Sequence, residues 1–334
     1  MTQDIEQFLI KNGIFTLPLE IPFPVAPVNC TIIDGNPPAI VDPGMDWKDT
    51  MEIISEKFEN YTGKKIDKLG EIYLTHPHID HFGTAEKLRK LTDAKIYTLN
   101  LGKHRFENYM KYWKTDREYY IKWLQISQAP PDKLREAREY RSNFHSYASH
   151  PKIDITLSDR SEFTIAGRIK AILLHLPGHT PWCSSLWLPQ LNLLIAGDLF
   201  VYRTTSASLI YPPESAPTRW QGISAYRKSL KKLRELSPKT IITGHGPTAT
   251  DGQHLIEKSL KKQEKKFDQL KEILALNGPL TAYRAAQLLY GREVTEKNLY
   301  LTINDTTRYL EHLQREKRAV GYLRNGLFLW DSYR

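Results

Sequence analysis

Four short apolar runs in this chain end the same way. "EIYLTHPHIDHFG" at 71–83, "AILLHLPGHT" at 171–180, "LNLLIAGDLF" at 191–200 and "KTIITGHGP" at 239–247 each run into histidine or aspartate, in the last three beside glycine. This pattern points to a layered α/β fold. Strands buried in such layers are rigid behind and free only at their ends, which open onto clefts where polar groups are useful. Glycine at those ends lets backbone approach a crowded centre. The intervening sequence fits. "VNCTIIDGNPPAIVDPG" reads as two strands around the turn Gly35 to Pro38, a helical pattern starts at Asp46, and "HFGTAEKLRKLTD" and Ile223 to about Leu236 read as helices.

Two segments depart from that rhythm. Residues 101–150 are aromatic, basic and helical in pattern, split by Pro130 and Pro131. They read either as a pair of helices roofing the cleft or as a nucleic-acid surface. Residues 251–276 form one long amphipathic helix with Leu255, Leu260, Phe267, Leu270 and Leu274 on its apolar side, stopped by Asn277 and Gly278. From 277 to 334 the order is helix, helix, then two strands around the Asn325-Gly326 turn. Three units are therefore expected: residues 1–250 with the insertion at about 101–150, a connecting helix at 251–276, and an appendage at 277–334.

Composition narrows the setting. The 334 residues can bury a sizeable core, and the formal charge of +9, spread along the chain, permits an anionic partner without demanding one. Two cysteines, Cys30 and Cys183, cannot build a disulfide framework, and no CxxC spacing occurs. With no signal-peptide pattern and no apolar run of about 18 residues, a cytoplasmic protein with no membrane partner is expected.

His76, His78, Asp80 and His81 crowd the end of the first run, and His179, Asp198 and His245 stand at the same structural place on the other three. Imidazole and carboxylate together are a donor set for Zn²⁺, and equally for Fe or Mn. In order and separation, "THPHIDH", "PGHT", "GD" and "GHG" resemble the metallo-β-lactamase superfamily over roughly residues 14 to 250. The resemblance implies a four-layered αββα sandwich and two divalent metal ions, Zn²⁺ first. One ion would be held by His76, His78 and His179, the other by Asp80, His81 and His245, with Asp198 bridging. Such a centre lowers the pKa of water toward about 7 and supplies hydroxide for hydrolysis, with Asp80 or Asp198 handling the proton.

Asp42 in "VDPG" matches the superfamily's strand-end aspartate, which orients a ligand histidine; an aspartate before Pro-Gly also simply forms turns. Tyr202 and Arg203, just after Asp198, read either as loop residues that polarise or neutralise substrate oxygen, as tyrosine does in some lactonase relatives, or as residues that simply pack. Trp182 and Cys183 stand where many members have Gly-His, and Cys183 reads as a small buried hydrophobe. His104, His145, His150, His175, His254 and His312 match no ligand position. The tail from about residue 277 resembles the winged-helix module of a subgroup that includes endoribonuclease-like members. It would pack on the hydrolase domain or on a second copy as readily as on DNA, because the basic residues of its second helix gather at the far end.

Three functions are consistent with these residues. The first is hydrolysis of a small ester, thioester or lactone, in the manner of glyoxalase II. The second is a phosphodiesterase or endoribonuclease acting on nucleic acid, in keeping with the positive charge. The third is a nucleic-acid-binding regulator with a vestigial metal site, against which stand seven intact ligand positions.

Overall fold

A computed structural model describes residues 2–23, 25–140, 144–202, 205–213, 216 and 220–333. Its first part runs α1 (Thr2–Lys11), β1 (Ile14–Leu19), β2 (Val28–Ile33), β3 (Ala39–Val41), α2 (Thr50–Thr62), β4 (Glu71–Leu74), α3 (Ile79–Phe82), α4 (Ala85–Thr92) and β5 (Lys95–Leu99). The insertion follows as α5 (Lys103–Glu107), α6 (Tyr109–Ile126) and α7 (Pro131–Tyr140). Next come β6 (Ile155–Leu157), β7 (Glu162–Ile165), β8 (Ile169–His175), β9 (Ser184–Leu188), β10 (Leu193–Ile195), α8 (Ile223–Leu236) and β11 (Thr240–Ile242). The chain ends with α9 (Gly252–Asn277), β12 (Leu280–Thr281), α10 (Ala282–Tyr290), α11 (Arg292–Lys297), α12 (Leu299–Arg315), β13 (Ala319–Arg324) and β14 (Leu327–Ser332).

One sheet has the order β1-β2-β3-β4-β5-β6, antiparallel up to β3 and parallel from there on. The switch follows from the connections: β2 reaches β3 through a tight turn, whereas α2 and then α3 with α4 supply the long crossovers that parallel pairing requires. The second sheet has the order β11-β10-β9-β8-β7, with only β10 and β11 parallel. Val41 and Tyr73 of the first sheet meet Leu173, Leu186 and Ile195 of the second. On the outer faces, Ile72 and Leu74 pack on Ile54 and Phe58 of α2, while Leu194 and Ile241 pack on Tyr226 and Leu230 of α8 and Ile256 of α9. The period-two alternation of each strand thus feeds two interfaces, and the result is the αββα sandwich.

The C-terminal segment shares this core. The apolar cluster under the second sheet continues through Phe267, Leu270 and Leu274 to Tyr309, Leu310 and Trp330. Each such side chain would cost about 1.5–3 kcal/mol to expose, so the segment is held firmly against the sandwich. β12, β14 and β13 form a third sheet, and Asn325 and Gly326 turn its hairpin with φ of 49° and 77°. Thr281 caps α10 by accepting from the Arg284 amide. In α12, every residue from Thr302 to Leu310 is buried.

Two local features differ from the sequence reading. The α2 helix begins at Thr50 rather than Asp46, because Lys48 adopts φ 48° and turns the chain first. α1 was not anticipated from the sequence, although its Leu9 is buried in the core between the two sheets.

Candidate metal centre

The site lies where strands of both sheets end. β4 delivers His76 and His78 on the loop after Leu74, and the short α3 carries Asp80 and His81. His179 follows β8, Asp198 follows β10 and His245 follows β11. The sheets are laced together at this rim: the Asn29 amide donates to the Gly244 carbonyl at 2.8 Å, and the Asn29 side chain donates to Thr243 and Gly246 at 2.8 and 2.6 Å. Two rigid supports therefore converge on one point.

His76 Nε2 is 3.1 Å from His78 Nδ1, which is 2.9 Å from His179 Nε2. Ligands about 2.05 Å from a tetrahedral ion would sit roughly 3.3 Å apart, so these three nitrogens are close to the required spacing. Asp80, His81 and His245 make a second group, with His245 Nε2 3.4 Å from an Asp80 oxygen. Asp198 stands between the groups. Its Oδ1 is 3.2 Å from His81 Nε2 and 3.4 Å from His245 Nε2, while Oδ2 is 3.6 Å from His179 Nε2 and 3.9 Å from His76 Nε2.

The nitrogen that each histidine turns away from the centre is held. His76 Nδ1 meets Thr75 Oγ1 at 3.0 Å, His78 Nε2 meets the Tyr211 hydroxyl at 3.2 Å, and His179 Nδ1 meets the Ala207 carbonyl at 2.7 Å. His81 Nδ1 meets Asp42 Oδ2 and His245 Nδ1 meets the Ala26 carbonyl, both at 2.8 Å. Outer partners of this kind fix the tautomer and aim the inner lone pair, as histidines that bind metals require. Inside the ring of donors, His81 Nε2 and Asp198 Oδ1 are buried and face each other at 3.2 Å without hydrogen-bond geometry. Buried polar atoms left so are costly unless something else satisfies them, and a divalent cation fits this donor set in chemistry and in charge.

The protonation of these side chains agrees. Burial together with the neighbouring imidazoles pushes His76 and His78 well below the usual histidine range, and burial lowers His179. These three are neutral and ready for a cation. Burial would also depress His81 and His245, but the carboxylates beside them prevail, raising His81 strongly and His245 to about 10. Burial opposes ionisation of Asp80, yet His245 and His81 bring it down to about 2, and the same histidines hold Asp198 well below the carboxylate range. Protons thus occupy the second group where a metal would otherwise neutralise the acids.

Comparison with known proteins decides the family. Residues 24–245 match the family model of the Metallo-beta-lactamase superfamily. The chain belongs to that superfamily. The probable metallo-hydrolase YqjP of Bacillus subtilis is 25% identical over 94% of this chain and 96% of its own length. The hydroxyacylglutathione hydrolase GloC of Haemophilus influenzae is 27% identical over 70% of this chain and 92% of its own. In structure, the metallo-beta-lactamase family protein TTHA1429 of Thermus thermophilus superposes with a TM-score of 0.78 at 20% identity, covering 96% of this chain and 98% of that one. The fold likeness therefore extends through the C-terminal segment. The superfamily is metal-dependent, and this member is a metal-dependent hydrolase.

The structure brings His76, His78, Asp80, His81, His179, Asp198 and His245 into one centre, and it places Asp42 beneath them. Asp42 Oδ2 accepts from His81 and, at 2.6 Å, from the Thr75 hydroxyl that in turn meets His76; Oδ1 accepts the Thr75 amide at 2.9 Å. One carboxylate thus braces both groups. The Tyr202 ring is 66% exposed and packs over Gly246 at the rim of the same cavity. Arg203 and the His145 side chain are outside the described residues. Tyr211, not singled out from the sequence, is the tyrosine that reaches a candidate ligand, and its only sequence signal is an apolar run ending before Pro212 and Pro213. Cys183 is buried and its thiol pushed up to about 12, as befits a packing residue.

Asp42→Asn is expected to weaken metal binding about 10- to 100-fold without disturbing the backbone. Asparagine tolerates the left-handed φ of 50° found here, but its amide cannot accept the hydrogen bonds that the second carboxylate oxygen takes from His81 and Thr75. Chelator competition measures this, and unchanged affinity would contradict the bracing role.

Proposed function

We propose that the chain hydrolyses an ester, thioester or lactone whose acyl part is apolar and extended. The observation that carries this reading is the cavity over the metal centre. It has a volume of about 800 Å³ and opens onto His78, Asp80, His179, Asp198 and His245. That volume lies in the upper part of the range of roughly 300–1,000 Å³ for small-molecule sites. The insertion contributes Tyr109, Trp113 and Tyr120 to its lining and the C-terminal segment Leu299, Tyr300 and Leu301. Arg105, Lys133, Lys262 and Lys266 also line it, but most of the lining is aromatic and aliphatic, which favours an apolar group.

In this proposal His76, His78 and His179 would hold one ion and Asp80, His81 and His245 the other, with Asp198 facing both groups. Bound divalent ions, Zn²⁺ or else Fe or Mn, would supply Lewis acidity toward the scissile carbonyl and a water of near-neutral pKa. The residues do the rest. Asp80 or Asp198 is the candidate acceptor for the proton released by the attacking water. The outer hydrogen bonds from Thr75, Asp42, Tyr211 and the Ala26 and Ala207 carbonyls keep the histidines aimed.

The hydroxyacylglutathione hydrolase activity named for GloC, a thioester cleavage, supports an acyl substrate. The nucleic-acid reading receives less support, because α12, the helix that would enter a groove, is buried from Thr302 to Leu310. The test is a series of p-nitrophenyl esters and acyl thioesters from two to ten carbons, run beside bis-p-nitrophenyl phosphate. Each methylene buried in the chamber is worth about 0.8 kcal/mol, so kcat/KM is expected to rise roughly fourfold per carbon until the chamber is full. Turnover independent of acyl length would remove the apolar-substrate reading, and faster turnover of the phosphodiester would replace it with the alternative.

A further inference from the structure

The loop at 205–211 connects parts of the molecule that are far apart in sequence. On one side it serves the first histidine group: the Ala207 carbonyl holds His179 Nδ1 at 2.7 Å, and the Tyr211 hydroxyl holds His78 Nε2 at 3.2 Å. Two of the three imidazoles in that group take their outer hydrogen bond from this loop. On the other side the loop is gripped by α12. The Ile210 amide donates to Asn304 Oδ1 at 2.8 Å, and the Leu209 carbonyl accepts from Arg308 Nε and Nη2 at 3.1 and 2.9 Å. Asn304 and Arg308 are both buried, and Arg308 is itself aligned by Glu311 at 2.6 Å.

We infer that α12 positions the first histidine group through this loop, so that the C-terminal segment is part of the architecture of the metal centre. Asn304 and Arg308 are positioning residues that act on His179 and His78 without touching them, and Tyr211 is the last link. The histidines of the second group take no outer hydrogen bond from this loop. Their outer partners are Asp42 and the Ala26 carbonyl, which belong to the first sheet and its loops. The packing of the loop favours transmission over local adjustment: Tyr211 is wedged against the Trp182 ring at 4.9 Å between centroids, and Trp182 carries the Arg105 guanidinium on its face at 4.1 Å. A shift at Leu209 or Ile210 therefore has little room to be absorbed before it reaches Tyr211. A polar partner on a ligand's outer nitrogen, as the Tyr211 hydroxyl is for His78, typically changes metal affinity 10- to 100-fold when removed, and a shift of the loop that carries it acts through the same contact.

This inference rests on the binuclear reading above, and the experiment separates the two. Metal-free protein is titrated with cobalt(II) against a competing chelator, and its visible absorption is followed for the parent, Asn304→Ala, Arg308→Met and Tyr211→Phe. The parent should fill two sites. In each variant one site should weaken at least about tenfold while the other keeps its parental affinity, and the altered band should be the same in all three. Parental binding at both sites in the folded variants would overturn the inference, as would equal weakening of both sites, which signals general loosening. If the α12 variants fail to fold, Tyr211→Phe, which removes only the hydroxyl, decides the matter by the same criterion. A parent that takes up no cobalt would overturn the binuclear reading and this inference with it.

Discussion

Asp198→Ala is expected to lower kcat/KM by about a thousandfold or more, a loss of roughly 4 kcal/mol of transition-state stabilisation, while the protein remains folded. The carboxylate is the one group whose two oxygens face both histidine groups, so its removal leaves neither complete. The backbone around it is secured by other means. The Gly244 amide donates to the Gly197 carbonyl at 2.9 Å, and the Ser206 hydroxyl donates to the Asp198 carbonyl at 2.6 Å, bonds that alanine preserves. Steady-state kinetics on the acyl reporters, paired with circular dichroism, checks both halves. A folded Asp198→Ala variant with near-parental turnover would show that the two groups do not work as one centre.

Gly244→Ala should be nearly as damaging by a steric route. A Cβ at this position would lie 2.0 Å from Asp198 Oδ1 and 2.8 Å from the Gly197 carbonyl carbon, far inside any tolerated contact. Either the bridging carboxylate is driven out of place or the ends of β10 and β11 separate. Overpacking of this kind costs about 1–3 kcal/mol of stability. The account predicts a lower Tm and loss of stoichiometric metal from both groups. Gly102→Ala is the control: its added methyl would meet Phe106 and Trp182 at 3.5 Å, an ordinary contact, and it should leave metal content unchanged. Gly244→Ala with parental metal content would mean that the carboxylate has freedom the packing does not suggest.

The residues that make up the centre were legible because each is tied to a strand end. An apolar run ending in a polar donor is a local signal, with glycine just before the donor in three cases, and four such signals at separate points in 334 residues reinforce one another. Asp42, one residue beyond β3, was singled out through the family resemblance, beside its reading as a turn former. What supports the centre was less legible, because it depends on the path of loops. Tyr202 follows Asp198 closely in sequence, yet the backbone turns at φ 40° and lays its ring on Gly246. Tyr211 lies thirteen positions beyond Asp198 and returns to His78 only because α12 and Trp182 pin the loop between them. Carbonyls such as those of Ala26 and Ala207 carry no sequence signature at all. The roofing role of the 101–150 insertion could be inferred from its aromatic residues, and Arg105, Tyr109, Trp113 and Tyr120 do line the chamber. The ion pair of Arg105 with Asp116, buried beneath that roof, came only with the coordinates.

The measurement that bears most directly on the central claim is metal content. Protein stripped with chelator, reconstituted with Zn²⁺, Fe²⁺ or Mn²⁺ and freed of excess should carry close to two ions per chain by elemental analysis, and acyl-reporter turnover should rise in step with occupancy. No stable uptake of any of the three ions by folded protein would contradict the account, leaving the seven residues as a buried polar cluster with no part in hydrolysis.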